Sequence, residues 1–322
     1  MTILLGIDVG SVSTNLVILD PESRAVVYED YRLTQGNPIQ AVQSGLETLR
    51  RQTGDLRIQA VGTTGSGRQL AAAIVGADSV KNEITAHAVA AIHHVPEVHT
   101  ILEIGGQDSK LIILRSGIVT DFAMNTVCAA GTGSFLDRQA GRLGLNINEF
   151  GPLALQATSP VHIAGRCAVF AESDMIHKQQ IGHPIPDILF GLCQALVRNF
   201  LNNLGKGKKI EGPVVFQGGV AANVGIRKAF EDALAVPVIV PEHFGVMGAI
   251  GAALLAQEAT AAGGSSFRGW DQSMAEFTAR SMTCSSCPNA CEVVQISMNG
   301  TRVAAWGDRC GKWSYTGQAA SR

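Results

Sequence analysis

The chain has 322 residues, of which 46% are hydrophobic, 16% are charged and 5% are aromatic, and its formal net charge is −2. This composition is typical of a folded α/β protein rather than a disordered chain, and the lack of a basic excess argues against a protein that coats nucleic acid. The sequence holds no apolar run of about 18 residues and begins without a signal-peptide pattern, so we expect a cytoplasmic protein that does not span a membrane.

Two segments of the sequence are similar to each other. Residues 3–19 (ILLGIDVGSVSTNLVIL) and residues 100–114 (TILEIGGQDSKLIIL) each read as an apolar strand, a turn rich in Gly, Asp and Ser, and a second apolar strand. The remaining pattern predicts strands at 25–33, 57–65, 119–125 and 236–240, and helices at about 38–53, 68–75, 82–94, 131–143, 168–180, 185–204 and 245–259. The repeat predicts two similar α/β lobes, divided near residues 95–100, with a cleft between them. The last predicted helix, at about 245–259, is expected to pack back onto the lobes.

The turn in the first repeat has the residue types of a phosphate-binding loop. Its residues are Gly10, Ser11, Val12, Ser13, Thr14 and Asn15. Gly10 lets the backbone come close to a ligand, and the amides and hydroxyls that follow can donate hydrogen bonds to phosphate oxygens. Asp8 enters the same turn, where a carboxylate beside phosphate usually acts through Mg²⁺ or a water molecule.

Two further glycine-rich turns extend this pattern. In the second repeat, Gly105 and Gly106 form the corresponding turn, and the residues expected to orient the attacking water and hold the metal ion follow it. These residues are Gln107 and Asp108. A third turn, QGGVAAN, leads into a helix whose N-terminus favours an anion or a flat base. Its binding residues are Gly218, Gly219 and Asn223. The sequence contains neither a Walker A loop nor a GxGxxG fingerprint, so the turns predict another kind of nucleotide site.

Two motifs that each contain a cysteine indicate which protein family the sequence resembles. NTVCAAGTGSFLD contains Cys128, and AGRCAVFAESDMI contains Cys167. Together with GIDVGS, IGGQDSK and the closing GAIGAALLA, they resemble the activators of 2-hydroxyacyl-CoA dehydratases and the ATPase subunits of benzoyl-CoA reductases. The resemblance covers residues 1 to about 258. It implies an α/β fold with two actin-like ATPase lobes, as in the superfamily of acetate kinase, sugar kinases, Hsp70 and actin.

The resemblance implies a homodimer that holds one [4Fe–4S] cluster between its subunits. In such activators MgATP binding and hydrolysis drive a conformational change, and one electron passes from a low-potential ferredoxin or flavodoxin to a partner dehydratase or reductase. The residues agree, because a cubane needs four thiolates and a two-fold axis doubles the two that Cys128 and Cys167 offer. Both cysteines directly precede predicted helices, whose N-termini favour thiolates.

Other functions remain open at this point. Many relatives carry Lys after the first turn, where this chain has Asn15, and this difference affects the expected ATP affinity or hydrolysis rate. Lys110, directly after the second turn, is expected to be solvated. The alternatives are a small-molecule kinase of the same superfamily and an Hsp70-like nucleotide-gated binding protein with structural zinc. For the ATPase, the expected catalytic residues are Asp8, Gln107 and Asp108.

The last segment, residues 261–322, differs in composition from the ATPase segment, residues 1–260. It contains the flexible linker AGGSS and the motifs CSSCPNAC and GDRCGKW. Its four cysteines are Cys284, Cys287, Cys291 and Cys310. Their spacing predicts a second metal site, for Zn²⁺ or an Fe–S cluster, and we expect the metal to stabilise this segment. The seventh cysteine, Cys193, lies among apolar residues at helical spacing and is expected to be in the core.

Overall fold

The computed structural model describes residues 2–165, 167–260 and 264–316. They form two compact units: one joins the described parts of 1–86 and 248–322, and the other is 87–247. The sequence places the division between the lobes near residues 95–100 and expects the last helix to pack back, and in the structure the first compact unit contains residues from both the N-terminal and the C-terminal parts of the chain.

The secondary structure follows the predicted alternation of strands and helices. The strands are β1 (Thr2–Val9), β2 (Ser13–Leu19), β3 (Val26–Leu33), β4 (Arg57–Thr64), β5 (Ser79–Val80), β6 (Thr100–Ile104), β7 (Ser109–Arg115), β8 (Ile118–Asn125), β9 (Val214–Gln217), β10 (Val238–Ile239), β11 (Phe277–Thr283), β12 (Glu292–Met298), β13 (Thr301–Trp306) and β14 (Tyr315–Thr316). The helices are α1 (Pro38–Thr53), α2 (Arg68–Val75), α3 (Glu83–His94), α4 (Gly133–Arg142), α5 (Ile147–Ala154), α6 (Ala168–Gln180), α7 (Ile185–Leu204), α8 (Val224–Leu234), α9 (Met247–Thr260) and α10 (Trp270–Ser273). Short 3₁₀ turns cover Ala129–Gly131 and Gly219–Ala222. Within the described ranges, each helix is too short or too polar to cross a lipid bilayer.

The two large sheets repeat one topology. The first has the order β3-β2-β1-β4-β5 and the second has the order β8-β7-β6-β9-β10. In each sheet the first three strands along the chain pair antiparallel, and the next two add in parallel. The similarity between residues 3–19 and 100–114 is therefore a structural duplication, because both segments form the hairpin that starts a sheet.

A third sheet, β11-β12-β13-β14, is an antiparallel meander within the first unit. The sequence reads VVQISMNGTRVAAW as one strand-like run, but the structure folds it into the hairpin of β12 and β13. The bend falls at Asn299 and Gly300, whose positive φ angles fit a two-residue type I′ turn.

This third sheet shares the core of the first unit. Phe277, Ile296 and Val303 lie in the same buried cluster as Leu5 and Ile7 of β1. Strand β13 contacts helix α2 of the first unit, so apolar packing holds the segment in place, which the sequence-based expectation of a stabilising metal did not include. Composition alone does not reveal this packing, since it depends on which distant helices and strands meet.

The core of the second unit surrounds helix α7. Most of this helix is buried, and Cys193 is fully buried within it, which confirms the prediction of a core cysteine. The short helix α5 packs against α7 and was not predicted. The helix starts with a capping box. The side chain of Asn146 accepts a hydrogen bond from the backbone of Glu149, and the side chain of Glu149 accepts one from the backbone of Asn146.

Candidate functional site

The first candidate site lies at the end of β1, where the sequence predicts phosphate binding. Asp8 is half-buried and pairs across the hairpin with Asn15, which is buried on β2. A Cβ added to Gly248 would lie 2.0 Å from Oδ2 of Asp8. Glycine at position 248 therefore preserves the position of this carboxylate, since a larger residue would displace it.

The residues of the first turn differ in exposure. Ser11 is exposed, and Thr14 is buried together with Asn15. The half-buried members of the turn are Gly10, Val12 and Ser13. The hydroxyl of Thr34 donates to the carbonyl of Gly10 at 3.0 Å and lies 3.0 Å from the hydroxyl of Thr14. Thr14 thus supports the turn from its buried side, while the backbone from Gly10 to Ser13 is its accessible part.

Sequence reasoning missed a turn that touches this site. Residues 65–67 join β4 to α2, and the amide of Gly67 donates to the carbonyl of Val9 at 2.8 Å. The hydroxyl of Ser66 donates to the same carbonyl at 3.3 Å. This turn is the counterpart in the first sheet of the QGGVAAN turn in the second, because β4 and β9 hold equivalent places. The signal was available as GSGR at the end of a predicted strand.

The second candidate site is the turn between β6 and β7. The amide of Gly105 donates to the carbonyl of Asp108 at 3.0 Å, which closes the turn. Gln107 is exposed, and the side chain of Asp108 is 33% exposed. Both side chains that the sequence assigns to water and metal binding are therefore accessible at this turn.

A buried lysine holds this second turn. Lys110 is only 2% exposed, and its Nζ lies 2.8 Å from Oε2 of Glu103 and 2.9 Å from Oδ2 of Asp108. The expectation of a solvated Lys110 was therefore wrong. The two carboxylates compensate the charge of Lys110 inside the unit. The position of Lys110 directly after a turn does not predict these ion pairs. Lys110 thereby restrains the carboxylate of Asp108.

A neutral histidine lies close to this ion pair. His87 is buried, and its Nδ1 is 2.9 Å from the side-chain nitrogen of Gln217. Burial, together with the smaller effect of the positive charge of Lys110, lowers the pKa of His87 to about 3. Because the ring is neutral, Nδ1 can accept a hydrogen bond from the amide of Gln217.

The third turn combines an exposed glycine with a helix cap. Gly219 is exposed, whereas Gly218 is buried. Oδ1 of Asn223 accepts from the amides of Gly225 and Ile226 at 3.0 and 3.2 Å, so this side chain caps the N-terminus of α8. Asn223 thus shapes the turn through the helix that follows it.

Helix α4 begins directly on the second turn. The amide of Gly133 donates to the carbonyl of Gly105 at 2.9 Å, and the amide of Ser134 donates to the carbonyl of Gly106 at 2.9 Å. The hydroxyl of Ser134 donates to the carbonyl of Gly106 as well. Since the 3₁₀ turn after Cys128 leads into α4, the predicted nucleotide turn and this cysteine are connected by a few residues of backbone.

The segments of Cys128 and Cys167 meet at one side chain. The amide of Asn199 on α7 donates to the carbonyl of Gly165 at 2.7 Å and lies 3.8 Å from Sγ of Cys128. Both cysteines are half-exposed, and each stands directly before a helical segment, as the sequence predicts. The segment before Cys167 is held further by Asp174, which accepts from the amide of Ala164 at 2.9 Å.

The two helices that follow the cysteines are joined by ion pairs. Glu172 on α6 lies 2.9 Å from Arg138 and 2.6 Å from Arg142, both on α4. Beside the cysteines, the large apolar side chains Val127 and Phe170 are 94% and 67% exposed.

The cysteines of the third sheet lie in two loops. Cys284 is buried and Cys291 is half-buried, whereas Cys287 and Cys310 are exposed. Among residues 2–165, 167–260 and 264–316, no three His, Cys, Asp or Glu side chains are close enough together to bind one metal ion.

Duplicated sheets of this order, each with a glycine-rich hairpin turn at its start, define an actin-like ATPase fold. The structure of the 2-hydroxyisocaproyl-CoA dehydratase activator from Clostridium difficile with bound ADPNP is similar, with a TM-score of 0.73 and 34% identity; the match covers 80% of this chain and 96% of that one.

Sequence comparisons agree with the fold. The profile of the BadF/BadG/BcrA/BcrD ATPase family matches residues 5–256, and the chain belongs to this family. It is 35% identical to the (R)-2-hydroxyglutaryl-CoA dehydratase activating ATPase of Acidaminococcus fermentans, over 80% of this chain and 98% of that protein. It is 30% identical to one of the subunits of the benzoyl-CoA reductase of Thauera aromatica, over 79% of this chain and 93% of that relative.

Proposed function

We propose that this protein is an ATP-dependent activator that delivers a low-potential electron to a partner dehydratase or reductase acting on acyl-CoA or similar substrates. The observation that carries the proposal is the short connection from the Gly105–Asp108 turn, through the start of α4, to Cys128 and its neighbour Cys167. Relatives named as dehydratase activators and as part of a reductase support the choice of partner class.

The three turns supply what an ATPase site needs. Backbone amides between Gly10 and Ser13 and around Gly105 would bind phosphate oxygens of MgATP. Asp8 would hold Mg²⁺ or its water, and the accessible Gln107 and Asp108 would orient the attacking water. Lys110 keeps Asp108 in place and leaves its other carboxylate oxygen available.

The residues around Cys128 and Cys167 fit a [4Fe–4S] cluster shared by two copies of the chain. Both thiols are half-exposed, both precede helical segments, and the amide of Asn199 points a donor at one of them. A cubane takes four thiolates, so two copies would supply the full set, and the apolar Val127 and Phe170 would be covered on dimerisation. When bound, such a cluster supplies a one-electron carrier that a ferredoxin or flavodoxin can reduce.

ATP hydrolysis would change the positions of the two cysteine segments through helix α4. A change in the Gly105–Asp108 turn alters the carbonyls that Gly133 and Ser134 bind, and these residues begin the helix that follows Cys128. The ion pairs of Glu172 would carry the same displacement to α6 and Cys167. The two cysteine segments would therefore move together.

Anaerobic purification of the full chain tests this proposal. We expect a brown dimer with about four iron atoms, and the loss of this iron in Cys128→Ser and Cys167→Ser with nucleotide binding retained. Cys193→Ala is the matched control, because this thiol is in the core and should not affect iron content. A colourless protein that phosphorylates a metabolite, or iron that persists in the double variant, would contradict the proposal.

The role of hydrolysis needs a second measurement. With a reduced donor and a partner enzyme present, ATP is expected to support repeated electron transfer, whereas a non-hydrolysable analogue supports at most one. Equal turnover with ATP and the analogue would rule out coupling to hydrolysis.

A further inference from the structure

Two of the four cysteines in the third sheet stand at the two ends of one hairpin loop. Cys284 directly follows β11, and Cys291 directly precedes β12. In the part of the chain that the structure describes, no three potential metal ligands come together, so these cysteines do not fit the metal site that their spacing predicts. The position of the pair in the hairpin points to a different chemistry.

Cys284 and Cys291 lie directly opposite each other across the hairpin. The antiparallel register of β11 and β12 runs up to Thr283 opposite Glu292, and one further step places Cys284 opposite Cys291. The amide of Cys284 donates to the carbonyl of Cys291 at 2.8 Å, so the pairing extends to the two cysteines. Residues in such a hydrogen-bonded pair have Cα atoms about 5.5 Å apart. A disulfide bridges Cα separations of about 4.4–6.8 Å.

The two cysteine side chains share one face of the sheet. Opposed residues on antiparallel strands point to the same side, and both cysteines belong to one small apolar cluster that includes Val293. Val293 and Ile296 are three residues apart on β12, so they point to opposite faces. Because Ile296 packs in the core of the first unit, the cysteine pair lies on the side of the sheet that faces away from this core.

The other two cysteines of this sheet are placed differently. Cys287 lies inside the loop, where its carbonyl accepts from the amide of Ala290 at 3.2 Å, and its side chain is exposed. Cys310 is exposed in the loop between β13 and β14, and its sulfur lies 3.8 Å from Oδ2 of Asp308. The strand register therefore selects Cys284 and Cys291 as the pair, which the spacing in CSSCPNAC does not.

The surroundings of the pair suit thiol–disulfide exchange. Cys291 is half-buried and can be reached from solvent, whereas Cys284 is buried. The indole nitrogen of Trp313 lies 3.3 Å from Sγ of Cys284, and Nζ of Lys312 contacts the hydroxyl of Ser286 in the same loop. An N–H donor and a nearby positive charge favour the thiolate, which is the form that attacks a disulfide.

We propose that Cys284 and Cys291 form a reversible disulfide by exchange with a low-molecular-weight disulfide such as oxidised glutathione. The sulfur of Cys291 attacks one sulfur of the small disulfide, which releases one small thiol and leaves the other half bound to Cys291. The sulfur of Cys284 then attacks the sulfur of Cys291, and the second small thiol leaves. The two cysteine thiols are oxidised to one disulfide, and the small disulfide is reduced to two thiols that take up both protons.

The test uses the full chain with Cys128→Ser and Cys167→Ser, which removes the thiols of the proposed cluster and makes the outcome independent of the proposed function. The protein is treated with oxidised glutathione, the remaining free thiols are alkylated, and the tryptic peptides are analysed by mass spectrometry. The peptide 281–302 contains Cys284, Cys287 and Cys291. We expect alkylation of Cys287 alone in this peptide, and alkylation of all three cysteines when the protein is first reduced with dithiothreitol.

Single substitutions identify the partners. Cys291→Ser should abolish the cross-link, and Cys287→Ser, the matched control in the same loop, should retain it. Because Cys291 is half-buried and Cys287 is exposed, both variants should keep the circular dichroism of the unmodified sheet. Alkylation of all three cysteines after treatment with oxidised glutathione, a disulfide that includes Cys287 or Cys310, or a cross-link that persists in Cys291→Ser would overturn the proposal.

Discussion

The role of Lys110 shows how one side chain controls a predicted catalytic residue. Because its ammonium is buried between Glu103 and Asp108, Lys110→Met leaves two carboxylates without their counter-charge. We expect this change to lower the free energy of unfolding by about 3–5 kcal/mol, measured by urea denaturation. Lys206→Met, at an exposed lysine of the same unit, is the control and should have almost no effect.

Lys110→Arg separates the effect of Lys110 on protein stability from its effect on the position of Asp108. It keeps the charge but changes the geometry around Asp108, so we expect a folded protein whose ATPase kcat falls while its KM for ATP changes little. Unchanged ATPase activity in this variant would show that Lys110 does not position Asp108 for catalysis.

The pH dependence of stability follows from His87. Burial depresses the pKa of His87 to about 3, below the ordinary value of 6.5, so the unfolded chain binds more protons between these values. This histidine therefore contributes stability above pH 6.5 that is lost as the pH falls towards 3, by up to about 1.4 kcal/mol for each pH unit. His87→Gln should flatten the fall in unfolding free energy, measured by denaturation from pH 7 to pH 4.

The exposed His177 offers a comparison for this effect. His177→Gln on α6 should leave the pH profile of stability as it is in the unmodified chain. Parallel profiles for the unmodified chain and His87→Gln would mean that His87 does not account for acid destabilisation.

Among the helices, α4 has the contacts needed to couple hydrolysis to electron transfer. Ser134→Ala removes the side-chain hydrogen bond to the carbonyl of Gly106 and keeps the backbone one. The loss of one hydrogen bond corresponds to about 0.5–1.5 kcal/mol, so we expect electrons transferred per ATP to fall by about two- to tenfold. ATPase activity without a partner should change less.

Ser173→Ala is the matched variant on α6, since its hydroxyl also donates to a backbone carbonyl, that of Val169, but away from the turn. Electron transfer per ATP should be unaffected there. Equal coupling in both serine variants would contradict transmission through the start of α4.

The elements themselves were largely readable from sequence patterns. The apolar runs around the glycine turns became β1, β2, β6 and β7, because strands covered on both faces carry continuous apolar residues. The hairpin at Asn299 was missed as a bend, although Asn-Gly is a strong turn signal. Helix α5 was missed because it is short, and only its capping residues mark its start.

On a larger scale, the third sheet shares the apolar core of the first unit and contacts helix α2. Ile296 is fully buried in the cluster that contains Leu5, so Ile296→Ala should lower the free energy of unfolding of the first unit by about 2–5 kcal/mol. Thr278→Ala, at an exposed position on the neighbouring strand β11, should have almost no effect. The comparison is made by thermal or urea denaturation of the full chain.

A loss at Ile296 no larger than that at Thr278 would mean that the third sheet folds without support from the core of the first unit. The expected result would instead show that the third sheet depends on a core to which β1, more than 250 residues earlier in the chain, also contributes.

The sequence by itself determined the duplicated α/β architecture, the glycine turns and the family, because these depend on local patterns of apolar residues, glycine and motif spacing. Tertiary structure decided the rest: that Lys110 is buried between two carboxylates, that Asn199 joins the two cysteine segments, and that the third sheet belongs to the first unit. Each of these contacts joins residues that are brought together only by folding. The residues next to a side chain in the sequence do not indicate which distant residue it will contact.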